Sequence, residues 1–159
     1  MFERQLVGTI AVVMVWSTAL PGYCDSASRA GIMQAYNAAD AAASNKDANG
    51  AAGRFGDPRL KSQAASSFSG LFKAVSSPTF STRIVGFTQP SGNHQVAIVI
   101  IKQHFQGLMT HSRTGSSALI TSDAKFREYW AVTDGQWHTM RSKLLSMQKT
   151  MNGRPVKSW

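Results

Sequence analysis

Glu128, Asp57 and His104 are the side chains of this sequence best suited to moving protons. A carboxyl group shielded from water can have its pKa brought to where it gives or takes a proton. Glu128 stands within Phe126-Arg127-Glu128-Tyr129-Trp130, where strand alternation puts Phe126, Glu128 and Trp130 on one face and Arg127 and Tyr129 on the other. Two roles suit it, a buried proton donor or a carboxylate paired with a neighbouring Lys or Arg, and the second is the more economical. Asp57 precedes Pro58, and an Asp-Pro pair reads first as a helix start, which leaves a role as general base secondary. His104 shares a face with Ile98 and Ile100 and reads as a hydrogen-bonded wall residue before it reads as a catalyst.

Other chemistries find less. His94, His104, His111 and His138 lack the close ligand spacings of a zinc site, and Cys24 is the single cysteine, so no metal and no cofactor are expected. The pairs Ser66-Ser67, Ser76-Ser77 and Ser116-Ser117 lie outside any strained nucleophile elbow. Tyr36, Phe68, Phe72 and Trp130, with Phe105 and Trp137, either fill a core or line a cavity for a flat or apolar ligand.

The elements that must position these residues change character near Pro78. Before it, Ile32, Tyr36, Ala39 and Ala43 recur at helical steps within Ser28 to Asn45. Asn45-Lys46-Asp47 stops that helix, and Asp47 caps a short second one carrying Ala51, Ala52 and Phe55. A third helix starts at Asp57-Pro58, repeats Leu60, Ala64, Phe68, Leu71, Phe72 and Val75 on one face, and ends at Ser76-Ser77-Pro78. Beyond it the period becomes two. Strands are predicted over Phe80 to Thr88, Gln95 to Phe105, Leu119 to Thr133 and Gln136 to Met147, with turns at Gln89 to Asn93 and at Asp134-Gly135 and a polar loop from Thr110 to Ser117. Val96 to Ile101 is apolar on both faces, which predicts a mid-sheet strand covered by helices on one side and by loops or a partner on the other. Asn152-Gly153-Arg154-Pro155 reads as a frayed tail. The order is α+β: three N-terminal helices packed on a curved antiparallel sheet of about four long strands.

Residues 1–26 read as a secretory signal peptide. A short polar start to Gln5 leads into the apolar run Leu6 to Trp16 and then a small-residue region broken by Pro21-Gly22, and the run is short for a membrane span. Export to a periplasm or medium is expected, with a retained N-terminal membrane anchor the less favoured reading. Cleavage after Ala19, after Cys24 or near Ser26 suits the pattern equally, and Tyr23 before Cys24 disfavours lipidation. The domain then spans 27–156, with 157–159 as a tail. Among 159 residues, 17 Lys and Arg stand against 8 Asp and Glu, a net charge of +9. Such a surface is drawn to anionic surfaces in a salt-dependent way. The cations are scattered singly along the chain, so no specific nucleic-acid binding is expected. The 43% apolar and 16% charged composition excludes wholesale disorder.

A helix ending in Asn45-Lys46-Asp47-Ala48, the stretch Phe126 to Trp137 running through Asp134-Gly135, and the closing Arg141-Ser142-Lys143 together resemble the SnoaL-like members of the nuclear transport factor 2-like superfamily. The likeness covers about Ser28 to Val156. It implies a sheet curved into a cone around an apolar pocket, often in a dimer packed sheet to sheet, and it puts Glu128 where steroid-isomerase-like relatives hold a pocket acid. The strand that carries those relatives' general base has no counterpart, since the chain passes there into the helix at Asp57. The expectation is therefore an exported, non-catalytic module that binds an apolar or cyclic small molecule or another protein, with a homodimer through the sheet. The alternatives are a proton-transfer enzyme of isomerase or dehydratase type using Glu128, and a structural subunit of a cell-envelope assembly.

Overall fold

The computed structural model describes residues 21–90, 92–110 and 115–157, with side chains from residue 27 onward. Most of the expected leader, and the centre of the expected loop from Thr110 to Ser117, lie outside the described residues. Helix α1 spans Pro21–Ser44, α2 Ala48–Ala51 and α3 Pro58–Ala74, followed by strands β1 Val75–Thr88, β2 Val96–Thr110, β3 Ser117–Thr133, β4 Gln136–Met151 and β5 Arg154–Val156. The strands form one antiparallel sheet in sequence order. Register shifts at Ser76/Thr79, Ile84/Gly86, Lys125/Phe126 and Tyr129/Trp130 mark bulges, and bulges of this kind bend strands and increase their twist. No described helix is long and apolar enough to cross a membrane.

The expected caps form. Asp47 accepts a bond from Gly50 N at 2.9 Å, and Asp57 accepts one from Leu60 N at 2.9 Å with Pro58 in the first turn. The helical stripe Ile32, Tyr36, Ala39 and Ala43 is buried. Ile32 and Tyr36 pack on Ala97, Val99, Ile101 and Trp130 to make the main core. Cross-strand partners share a face, so Val99–Glu128, Ile101–Phe126 and Ala97–Trp130 define the inner, helix-covered side. Ile98, Ile100, Lys102 and His104 point to the other side by alternation.

Several boundaries differ from the sequence reading: α1 begins at Pro21, and β2 and β4 run on past Phe105 and Met147 to Thr110 and Met151 as their pairing with β3 continues. Val75, expected on the third helix, is instead the first residue of β1 and is buried against Phe105 and Ile120. Val75 pairs with Met109, and Gly107 two residues before that partner leaves room for the valine side chain: a Cβ on Gly107 would stand 2.3 Å from Val75 Cγ1. Ser76-Ser77-Pro78 is carried inside β1 by its bulge, with Ser77 at a positive φ of 48°. The expected frayed tail is ordered, since Asn152 and Gly153 adopt φ of 49° and 75° and fold β5 back onto β4, as a tight hairpin turn requires. The sheet thus has four long strands and a short fifth.

The stripe on α3 is present but only half-buried. Leu60, Ala64, Phe68, Leu71 and Phe72 are all intermediate in exposure, and no residue of the helix is fully buried. The helix is anchored at its C-terminal end, where Phe72, Phe68, Phe80 and Phe105 form a run of rings with centroid separations of 5.7, 5.8 and 4.8 Å. Closure of the sheet is therefore chiefly the work of α1, and Leu144 and Met147 on β4 stay exposed.

Candidate functional site

The chemistry-bearing group that the fold hides most completely is Glu128. Its side chain is 0% exposed, and donors from five residues converge on its carboxylate. Arg54 Nη1 lies 2.9 Å from Oε1 and 2.7 Å from Oε2, and the Ser142 hydroxyl donates to Oε1 at 2.9 Å. The Tyr36 hydroxyl donates to Oε2, as does Trp130 Nε1 at 3.2 Å, with Thr139 Oγ1 at 3.5 Å. Arg54 also donates to Thr139 Oγ1 at 3.2 Å, and Trp130 Nε1 reaches the Tyr36 oxygen at 3.1 Å.

Local structure explains each member. Glu128 and Trp130 are inward positions of β3 two residues apart, Ser142 faces Glu128 across the β3–β4 ladder and Thr139 faces Trp130. Tyr36 comes from the buried stripe of α1. Arg54 sits in the link between α2 and α3, where Thr139 N donates to Arg54 O at 2.8 Å and Gly56 N donates to Thr139 O at 3.1 Å. That backbone pairing clips the link to the free edge of β4 and aims the guanidinium inward. There it stacks on Phe55 at 4.4 Å and Tyr36 at 5.2 Å from the ring centroids. Burial, reinforced by the Glu128 charge beside it, pushes the Tyr36 hydroxyl far above the usual phenol range, so it stays a donor.

The expected pairing of Glu128 with a cation is present, but the partner is Arg54, 74 residues away, and not a strand neighbour. Arg54 carries no pattern in the sequence beyond being a lone cation in a glycine-rich link. Ser142 and Thr139 become visible only once the register of the hairpin is known. Of the expected aromatic pocket residues, Tyr36 and Trp130 are fully buried core and pack edge to face at 4.9 Å, whereas Phe68 and Phe72 lie half-buried on α3. Asp57 is spent on its cap. His104 lies on the outer face, away from Glu128, with Nδ1 2.9 Å from Asp123 Oδ1 and the side chain 44% exposed. Among the described residues no three of His, Cys, Asp and Glu come together as a metal site.

Sequence reasoning also passed over Asp40, one turn beyond Tyr36 on α1. It accepts a bond from Thr82 Oγ1 at 3.0 Å, and burial raises its carboxyl above the ordinary 3.8 despite the bonds from Thr82 and the charge of Arg54. A carboxyl that holds its proton more tightly in the native state stabilises the fold most below its unfolded value, and loses that contribution as pH rises through the native one. Stability is expected to fall over that interval. In Asp40→Asn this component should vanish, flattening the urea midpoint plotted against pH; parallel curves for the two proteins would show that Asp40 is not its source.

A cavity of about 570 Å³ lies against this region, lined by Leu60, Ile98, Tyr129 and Ser142, the cations Arg127, Arg141 and Lys143, and Glu128. A second, of about 590 Å³, is lined mainly by outward residues further along the strands, among them Arg83, Lys102, His104, Asp123 and Lys125. Both volumes suit small-molecule sites.

No protein-family model matches this sequence, and no curated protein matches it. Solved structures match its fold. A protein of Novosphingobium aromaticivorans provisionally named a scytalone dehydratase superposes with a TM-score of 0.63 at 11% identity, covering 86% of this chain and 97% of its own. The hexachlorocyclohexane dehydrochlorinase LinA-type3 of Novosphingobium barchaimii gives 0.55 at 12% identity over 87% and 96%. A nuclear transport factor 2-like superfamily protein of Salmonella enterica gives 0.54 at 16% identity over 75% and 90%. The chain therefore has the nuclear transport factor 2-like cone fold, in keeping with the SnoaL-like resemblance of its sequence. At these identities the likeness establishes the fold, and a fold of this kind hosts many functions.

Proposed function

We propose that the protein is an exported, non-catalytic binding module whose 570 Å³ cavity takes an apolar or ring-bearing small molecule. The observation that carries this reading is the saturation of Glu128. Donors from five residues already occupy both carboxylate oxygens, and the side chain has no solvent contact. A general acid or base must reach the substrate's proton directly or through one water, and this carboxylate is held as a strut between α1, the α2–α3 link and β4. Leu60, Ile98 and Tyr129 supply the apolar contact, and Ser142 with the cations at the rim supplies polar anchors. Export rests on the residues from Leu6 to Trp16 and the small-residue stretch after them.

A second reading keeps a specific observation in its favour. Glu128 and Ser142 both border the cavity, and structural neighbours include proteins named as a dehydratase and a dehydrochlorinase. Proton transfer through Glu128 would then require its donor shell to open on binding. Packing two copies through the outer sheet face would set Arg83, Lys102, Lys125, Arg127, Arg141 and Lys143 against their equivalents, so we read that face as unpaired between copies.

Native mass spectrometry of protein purified from the exported fraction tests both parts. The expected result is a chain shortened at its N-terminus that carries a small-molecule mass lost on denaturation. Tyr129→Ala, with its fold verified by circular dichroism, should lose that mass. A full-length chain would refute export. Absence of the adduct together with no binding of ring-bearing probes would refute the pocket.

A further inference from the structure

The outer face of the sheet gathers cations that the sequence keeps far apart. Arg83, Lys102 and Lys125 are direct cross-strand partners on β1, β2 and β3. Neighbouring strands stand about 4.8 Å apart, so the row spans roughly 10 Å. Arg127 and Lys143 form the second row along from it, and Arg141 opposite Tyr129 the third. Five of these six side chains are exposed and Lys125 is half-buried. The one acid projecting from these strands on this face, Asp123, is turned to His104.

Like charges placed directly opposite one another destabilise a sheet, and no described carboxylate lies in salt-bridge contact with the row. The row also forms a wall of the 590 Å³ cavity, together with the hydroxyls of Ser81 and Ser146 and the amide of Gln148. A concave site with three aligned cations, flanking hydroxyl and amide groups, and one lining carboxylate, Asp123, already engaged by His104, is organised for a multivalent anion. Linked phosphates offer each of the three cations, which rise from strands about 4.8 Å apart, a phosphate oxygen of its own. Guanidinium and ammonium groups both bond phosphate oxygens through charge-assisted hydrogen bonds.

We propose that this groove is a binding site for a ligand bearing two or more phosphate groups, either free in solution or presented as headgroups on a lipid surface. The site is separate from the cavity beside Glu128 and does not depend on what that cavity holds. Lys102, in the middle of the row, carries the largest share, because it faces a cation on each side.

Inorganic tripolyphosphate is the probe for the free form. Thermal melting of the whole protein should rise with tripolyphosphate well beyond the effect of sulfate at matched ionic strength. In Lys102→Gln the affinity measured by calorimetry should drop about tenfold or more, as loss of a charged hydrogen-bond partner implies. The same variant without ligand should melt at or above the temperature of the parent, since one repulsive centre is gone; a purely structural lysine would lower it. Vesicles of phosphatidylcholine with and without phosphatidic acid separate the two sources. Selective co-sedimentation with the phosphatidic acid vesicles, lost in Lys102→Gln, assigns the lipid headgroup, and tripolyphosphate binding without it assigns a free oligophosphate. Equal response to sulfate and tripolyphosphate, or tripolyphosphate binding undiminished in Lys102→Gln, would overturn the proposal.

Discussion

Glu128→Ala should lower the free energy of unfolding by about 3–5 kcal/mol, the usual cost of removing one partner from a buried ion pair. The loss is large because Arg54 is left behind. Its side chain is only 9% exposed and is wedged between the rings of Tyr36 and Phe55, so it cannot turn to water without undoing the clip between the α2–α3 link and β4. The Tyr36 hydroxyl, Trp130 Nε1 and Ser142 lose an acceptor at the same time. Glu128→Gln retains one acceptor oxygen but turns two N–H groups toward this ring of donors, so it too should destabilise, by less. Urea denaturation at neutral pH reads both. The outcome also separates the two functional readings: a carboxylate kept for chemistry can be exchanged for its amide with little loss of stability, whereas a strut cannot. A Glu128→Gln protein as stable as the parent would remove the chief support for the non-catalytic reading.

Trp130→Ala should cost a similar amount, about 3–5 kcal/mol, for a different reason. Trp130 is 0% exposed and is the largest of the fully buried side chains. Its removal opens a cavity between α1 and the sheet, loses the edge-to-face contact with Tyr36 at 4.9 Å, and takes one donor from Glu128. Because Trp130, Tyr36 and Glu128 belong to one network, the double variant Trp130→Ala/Glu128→Ala should lose less than the sum of the two single losses. A strictly additive result would mean that the indole is acting as packing alone. Trp130→Phe retains most of the volume and removes only the N–H, so it isolates the hydrogen-bond share.

Much of the fold was legible before the structure. Helical spacing in Ile32, Tyr36, Ala39 and Ala43 marked the face that α1 buries, the Asp-Pro pair marked the start of α3, and Asp134-Gly135 marked the hairpin, where both residues do adopt positive φ. These are local signals, set by one residue's conformational preference or by the period of a few turns. The boundary at Val75 was not legible, because a valine suits the end of an apolar helical stripe as well as the start of a strand. Pairing with the distant Met109 decides between them, and Gly107 leaves room for the side chain. The frayed-tail reading of Asn152 to Pro155 failed for a similar reason: a short segment has little pattern of its own, and β4 supplies the pairing that orders it.

The candidate site divides along the same line. Composition and alternation alone determined that Glu128 shares a face with Trp130, that the chain is rich in cations, and that its C-terminal half is a run of long strands. Only the tertiary structure decided that Arg54 is the partner of Glu128, that His104 lies across the sheet from it, and that singly scattered cations share one face. The physical reason is range. A side chain's face follows from its nearest neighbours in the chain, but the charge it meets there depends on the register between strands and on how a distant link is clipped to a sheet edge.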